Sequence, residues 1–161
     1  MKDAPLTINS VGDLQIALLE NNNDAIKNYI ERLDRETANE AMTRAGEFFG
    51  FPTVEIEGVI RTSAGYLARV FGYKQPFGLQ KLLASRGIFG IKVAGFLHNV
   101  ESIRTILGLD AKDYSAILYD WPAFLIGGMN STNEEARVVQ AYLLKMEKIA
   151  LSHVWRIVNE K

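Results

Sequence analysis

Capping residues and glycines cut the middle of this chain into short helices, and this punctuation restricts the possible folds more than any other feature. Ser63 is placed to cap a helix carrying Ala64, Leu67, Ala68 and Phe71, and Gly72 closes it. Tyr73-Lys-Gln-Pro76 forms a short connection. Phe77 to Arg86 then reads as a second helix with Leu79, Leu82 and Leu83 inward, ended by Gly87. Helices of about eight to ten residues are marginal alone in water, so each must pack against a neighbour. The layout is that of a helix-turn-helix: Ala68 is small where the second helix crosses, and Gly72 can take the positive φ of the turn. The connection is one residue longer than the commonest bacterial form, because the inward leucines fall one position late relative to Ala68 and Gly72.

Upstream, Ser10 is placed to cap a short helix with Asp13 in the capping-box position, and Asn21-Asn22-Asn23 stops it. A longer helix is expected from Asp24 to about Phe49, with Ile26, Tyr29, Ile30, Leu33, Met42 and Ala45 at three- and four-residue spacing, ended by Gly50 and Pro52. Thr53 to Thr62 alternates as a half-buried strand does, with Gly58 at a bulge or turn. Downstream, Ile88 to Val93 and Ser115 to Tyr119 read as short strands. His98 to Leu107 and Trp121 to Met129 read as helices. Asn133 caps a long last helix running to about Val158, with Val139, Tyr142, Leu143, Met146, Ile149, Ala150, His153 and Ile157 on one apolar stripe. The expected class is α+β, predominantly helical with a few short strands. Residues 1–50 form an N-terminal helical extension, and residues 51–161 form the main domain.

At 161 residues and 48% hydrophobic content, the chain is long enough for a packed core without staples. It has no Cys, which excludes disulfides, thiol catalysis, iron–sulfur clusters and Cys-based zinc sites; with two His far apart, a His-rich metal site is excluded too. No metal and no cofactor is expected. No secretory signal precedes the first helix, and the apolar run from Trp121 to Asn133 is broken by Pro122, Gly127 and Gly128, so a soluble, cytoplasmic protein without membrane contact is expected.

The net charge of −1 conceals a division along the chain. Residues 1–50 carry 9 acidic and 5 basic side chains, whereas residues 51–100 carry 2 and 6. From Gly58 to Val100 there is no acidic residue, while Arg61, Arg69, Lys74, Lys81, Arg86 and Lys92 are all basic. A one-sign window of this length points to a surface facing an anion. On the second helix the outward set is Lys74, Gln75, Gln80, Lys81, Ser85 and Arg86. Lys and Arg neutralise phosphates or read guanine, and Gln pairs with adenine, so this inventory suits a major groove. Arg61, Arg69 and Lys92 are expected to add phosphate contacts.

Enzymatic motifs are missing from the sequence. Gly87-Ile-Phe-Gly90 lacks the third glycine of a dinucleotide loop, and no Gly-Lys-Ser or Gly-Lys-Thr phosphate loop occurs. Ser63 reads as a cap rather than a nucleophile, since no His lies near it in sequence. His153 reads as a packed or interface histidine, and Glu134 and Glu135 as acids suited to a helix N-terminus. Tyr119, Trp121 and Phe124 read as core aromatics.

Three segments together carry a family resemblance: Ile60-Arg-Thr-Ser-Ala-Gly-Tyr-Leu-Ala-Arg-Val-Phe-Gly-Tyr-Lys-Gln-Pro76, Tyr119-Asp-Trp-Pro-Ala-Phe-Leu-Ile126, and Asn133-Glu-Glu-Ala-Arg-Val-Val-Gln-Ala-Tyr-Leu-Leu144. From about Thr53 to Ala150 the chain resembles the Bro-N and phage antirepressor group of DNA-binding domains. It departs from that group in a longer acidic stretch before Gly50 and in Met146-Glu-Lys-Ile-Ala150 where an Arg-rich end is usual. The resemblance implies a sequence-specific, non-enzymatic regulator of transcription from a phage or mobile element, with Lys74, Gln75, Gln80 and Lys81 facing DNA. The partners then expected are double-stranded DNA, a second copy of the chain paired through the last helix, and another regulator. The alternative is a non-enzymatic protein–protein interaction module, docking through the acidic N-terminal helices or the Trp121 to Met129 segment.

Overall fold

The structure, a computed structural model, describes residues 6–96, 99–110 and 116–159, the last helix by its backbone alone beyond Met146. Ser10 Oγ accepts from the Asp13 N–H at 3.1 Å, while the Asp13 carboxylate accepts from the Asn9 N–H at 3.0 Å. That reciprocal cap starts α1 (Val11–Leu19). Asn22 then caps α2 (Asn23–Arg32) by accepting from the Ala25 N–H at 3.2 Å.

The single helix expected from Asp24 to Phe49 is two helices. Leu33 is extended (φ −62°, ψ 125°), and Asp34 opens α3 (Arg35–Phe49) by accepting from both the N–H and the hydroxyl of Thr37, at 3.3 and 2.9 Å. Asp is among the best N-caps, because its carboxylate satisfies a helix-start N–H that has no partner in the preceding turn. The apolar spacing runs through the break because both helices face one core.

The expected strand from Thr53 to Thr62 is a hairpin of β1 (Val54–Ile56) and β2 (Val59–Ser63), with Val54 opposite Arg61 and Ile56 opposite Val59. Its two-residue turn, Glu57-Gly58, has φ of 54° and 80°, matching the right-handed twist of the strands it joins. Asn39 of α3 holds that turn, donating to the Gly58 carbonyl at 2.8 Å and accepting from the Ile60 N–H at 3.0 Å.

After the hairpin come α4 (Ala64–Val70), α5 (Pro76–Ser85), β3 (Ile91–Lys92) with a 3-10 turn at Val93–Gly95, α6 (Val100–Leu107), β4 (Ile117–Tyr119), α7 (Trp121–Asn130) and α8 (Glu134–Asn159). The sheet is antiparallel in the order β1-β2-β4-β3. The strand expected over Ile88 to Val93 shrinks to two residues, because the chain enters the 3-10 turn at Val93. His98 and Ser115 lie outside the described residues, as does the side chain of His153.

The described residues thus hold eight α-helices and one small sheet, an α+β fold dominated by helix. Helix α7 is the hub. Every residue from Ala123 to Met129 is buried, as befits a helix apolar all round. The larger core gathers around it Leu14, Ile26 and Met42 of the first three helices, Leu67 and Phe71, Leu79 and Leu83, and Val139 and Leu143. The expected N-terminal extension is therefore part of the main core. A smaller cluster of Val54, Ile56, Val93, Phe96, Ile103, Leu107 and Leu118 joins the sheet to α6.

Candidate nucleic-acid interface

Helices α4 and α5 and the turn between them form the predicted helix-turn-helix-like unit, with ends set by local chemistry. Ser63 is buried at the end of β2, and its hydroxyl accepts from the Tyr66 N–H at 3.4 Å, making it the α4 cap. At Gly72 φ is 83°, and a Cβ there would collide with the Glu135 carboxylate. Asn133 donates to the Phe71 carbonyl at 3.1 Å, so the start of α8 buttresses the turn. Tyr73 completes it: its N–H donates to the Ala68 carbonyl at 2.8 Å, and its hydroxyl lies 2.8 Å from Ser131 Oγ.

Helix α5 begins with Pro76 and has no side-chain cap on its first N–H groups. Leu79 and Leu83 are fully buried, which turns the opposite face to solvent. Lys74, Gln75, Lys81 and Ser85 are exposed, and Gln80 is half-buried. The Ser85 hydroxyl donates to the Leu82 carbonyl at 2.5 Å, so only its acceptor capacity faces outward. Arg69 is exposed in the last turn of α4, its guanidinium 5.7 Å from the Tyr66 ring centroid. Lys92 is exposed on the edge strand β3, apart from the α4–α5 unit.

Two of the residues expected to face DNA, Arg86 and Arg61, make contacts within the protein. Arg86 does not project outward from α5: its Nη1 donates to Asn21 Oδ1 at 2.8 Å and its Nη2 to the Leu18 carbonyl at 3.4 Å, tying α5 to the α1–α2 turn. With the Asn130 amide turned to present its oxygen, Arg86 Nε and Nη2 also donate to that group at 3.1 and 3.3 Å. Arg61 likewise faces the protein. Its guanidinium lies 5.3 Å from the Phe96 ring centroid, and its Nε is buried without a hydrogen-bond partner.

Arg61 also acts on Asp120, which occupies the cap position of α7. Burial pushes the Asp120 carboxyl above its ordinary value, and the Arg61 cation pulls it partly back. Beside Asp120, Tyr119 and Phe124 are buried and Trp121 stacks on Phe124 at 5.3 Å, so this aromatic group is core. Among the described residues no cluster of His, Asp and Glu is placed to hold a metal. No helix among them is long and apolar enough to cross a membrane.

The carboxylate-free window of the sequence is not carboxylate-free in space, since Glu135 stands against Gly72. The sequence reading also missed two aromatics: Phe77 is 71% exposed and Phe89 75%. For Phe77 the signal was available, because at 100° per residue it falls well away from the buried direction set by Leu79 and Leu83.

No family model, no curated protein and no solved structure matches this chain. A functional reading therefore starts from the α4–α5 unit and the cations around it.

Proposed function

We propose that this protein is a small DNA-binding regulator that lays α5 in the major groove. The observation that carries the reading is the outward face of α5 and its turn, where Lys74, Gln75 and Lys81 are exposed on a rigid two-helix support whose other face is fully buried. Lysines there neutralise phosphates, the Gln75 amide suits a base edge, and the uncapped start of α5 favours an anion. Arg69 and Lys92 extend the phosphate contacts, while Arg61 and Arg86 hold the fold. The resemblance to the Bro-N and phage antirepressor group supports this reading, in which the protein would regulate transcription for a phage or mobile element. A second copy paired through α8 would set two α5 helices on half-sites about 34 Å apart.

A second reading, a protein-interaction module, is favoured by one surface: Phe48 is exposed on α3 and its ring lies 4.6 Å from that of Tyr142 on α8, near the exposed Val138. Salt separates the two. Binding to a pool of random duplexes should weaken with salt along a log–log slope of about −0.9 per phosphate neutralised. Lys81→Ala should weaken binding to all sequences and make the slope shallower by about one phosphate. No binding at low salt, or a slope near zero, would favour the module.

A further inference from the structure

Phe77 is an aromatic ring that the fold does not use. It is 71% exposed and belongs to neither core cluster. It stands in the first turn of α5, between Pro76 and Gly78, neither of which offers a polar side chain. Gly78 is small because the Tyr73 ring fills its side-chain space, where a Cβ would lie 3.0 Å from Tyr73 Cδ1. Around Phe77 the exposed groups are Lys74, Gln75 and, one helical turn on, Lys81.

We propose that Phe77 is a specificity-determining residue that reads thymine, packing its ring on the C5-methyl group in the major groove. This rests on the DNA-binding reading above and names what α5 reads. The N-terminal turn of a recognition helix is the part that meets base edges. Among the groups displayed in the major groove, the thymine methyl is the apolar one, and Phe is a side chain that packs against it. Phosphate contacts from Lys74 and Lys81 on either side would hold the ring at that depth. Phe89 is equally exposed but lies beyond Gly87, past the far end of α5 and outside the N-terminal turn that meets base edges.

The test uses the full chain and a duplex recovered from a random pool by binding. Each thymine is then replaced in turn by uracil, which removes the methyl and nothing else. Wild type should bind one uracil duplex about fourfold more weakly, the effect of one buried methyl-sized group. Phe77→Ala should bind the thymine and uracil duplexes equally, with an unchanged circular dichroism spectrum and salt slope. Phe77→Leu should keep part of the discrimination, and Phe89→Ala all of it. If wild type binds duplex with a steep salt slope yet ignores every uracil, this inference falls and the DNA reading survives. If Phe77→Ala keeps the thymine preference, the ring serves another contact and the inference also falls. If no duplex is retained at any salt, the DNA reading falls and takes the inference with it.

Discussion

Lys81 in the middle of α5 and Arg86 at its C-cap lie five residues apart, carry the same charge, and differ in what they touch. Lys81 stands in solvent, with no hydrogen bond or ion pair among the described residues. Arg86 donates to Asn21 and to the Leu18 carbonyl. Lys74 and Lys92 share the exposure of Lys81, whereas Arg61 lies against Phe96 and acts on Asp120. The side chains explain the division. A guanidinium is planar, weakly hydrated and rich in directed donors, so it joins backbone carbonyls, amides and ring faces; an ammonium is compact and strongly hydrated, and stays in water. In this molecule a cation's position in the sequence is a poorer guide to its role than whether it is Arg or Lys.

The comparison breaks most readily at Arg86. Arg86→Ala should lower unfolding free energy by about 1–2 kcal/mol in urea denaturation, since it removes the hydrogen bonds to Asn21 and the Leu18 carbonyl that tie α5 to the α1–α2 turn, and leave the DNA salt slope unchanged. Arg86→Lys should recover less than half of the loss; full recovery would show that charge alone matters there.

Asp120 tests Arg61. With its folded-state pKa raised, Asp120 contributes stability that is complete below the unfolded value of 3.8 and is lost as pH rises through the folded-state value. Asp120→Asn should therefore flatten the fall of stability with pH above 3.8, read from denaturation midpoints. Removing the Arg61 cation should raise the carboxyl further and steepen that fall.

Arg69 stands between the two groups, exposed yet over the Tyr66 ring. Arg69→Ala should cost about 0.5 kcal/mol, the size of an exposed cation–π contact. The smallest effect on stability belongs to the lysines: Lys74→Ala and Lys81→Ala should each change it by less than about 0.5 kcal/mol in the same denaturation series. A large loss in either would place that lysine with the arginines and remove it from the proposed interface.

Much of the fold was legible in the sequence. The caps at Ser10 and Ser63 and the helix ends at Gly50 and Gly72 stand where the pattern put them, because each is settled by the nearest few residues. The break at Leu33 was missed although Asp34 followed by Thr37 is a cap signal; the continuous apolar spacing outweighed it. Gly58 was read as a bulge or turn, but the pairing of the two halves into a hairpin was hidden, because alternation reads the same in one strand and in a hairpin. In the candidate site, the exposure of Lys81 followed from helix periodicity, while Lys74 and Gln75 stand in the connection before α5. The inward turn of Arg86 did not, since its partners come from the other end of the chain.

The amino-acid order by itself determined where helices start and stop, which face of α5 is apolar, and the absence of thiol chemistry, since these depend on φ preferences, caps and side-chain type within a few residues. Only the folded chain decided which cations remain available: Asn21 meets Arg86, Asp120 meets Arg61 and Glu135 meets Gly72 across long stretches of sequence. Those meetings depend on packing around α7, and local pattern carries no information about which distant polar group will arrive beside a given charge.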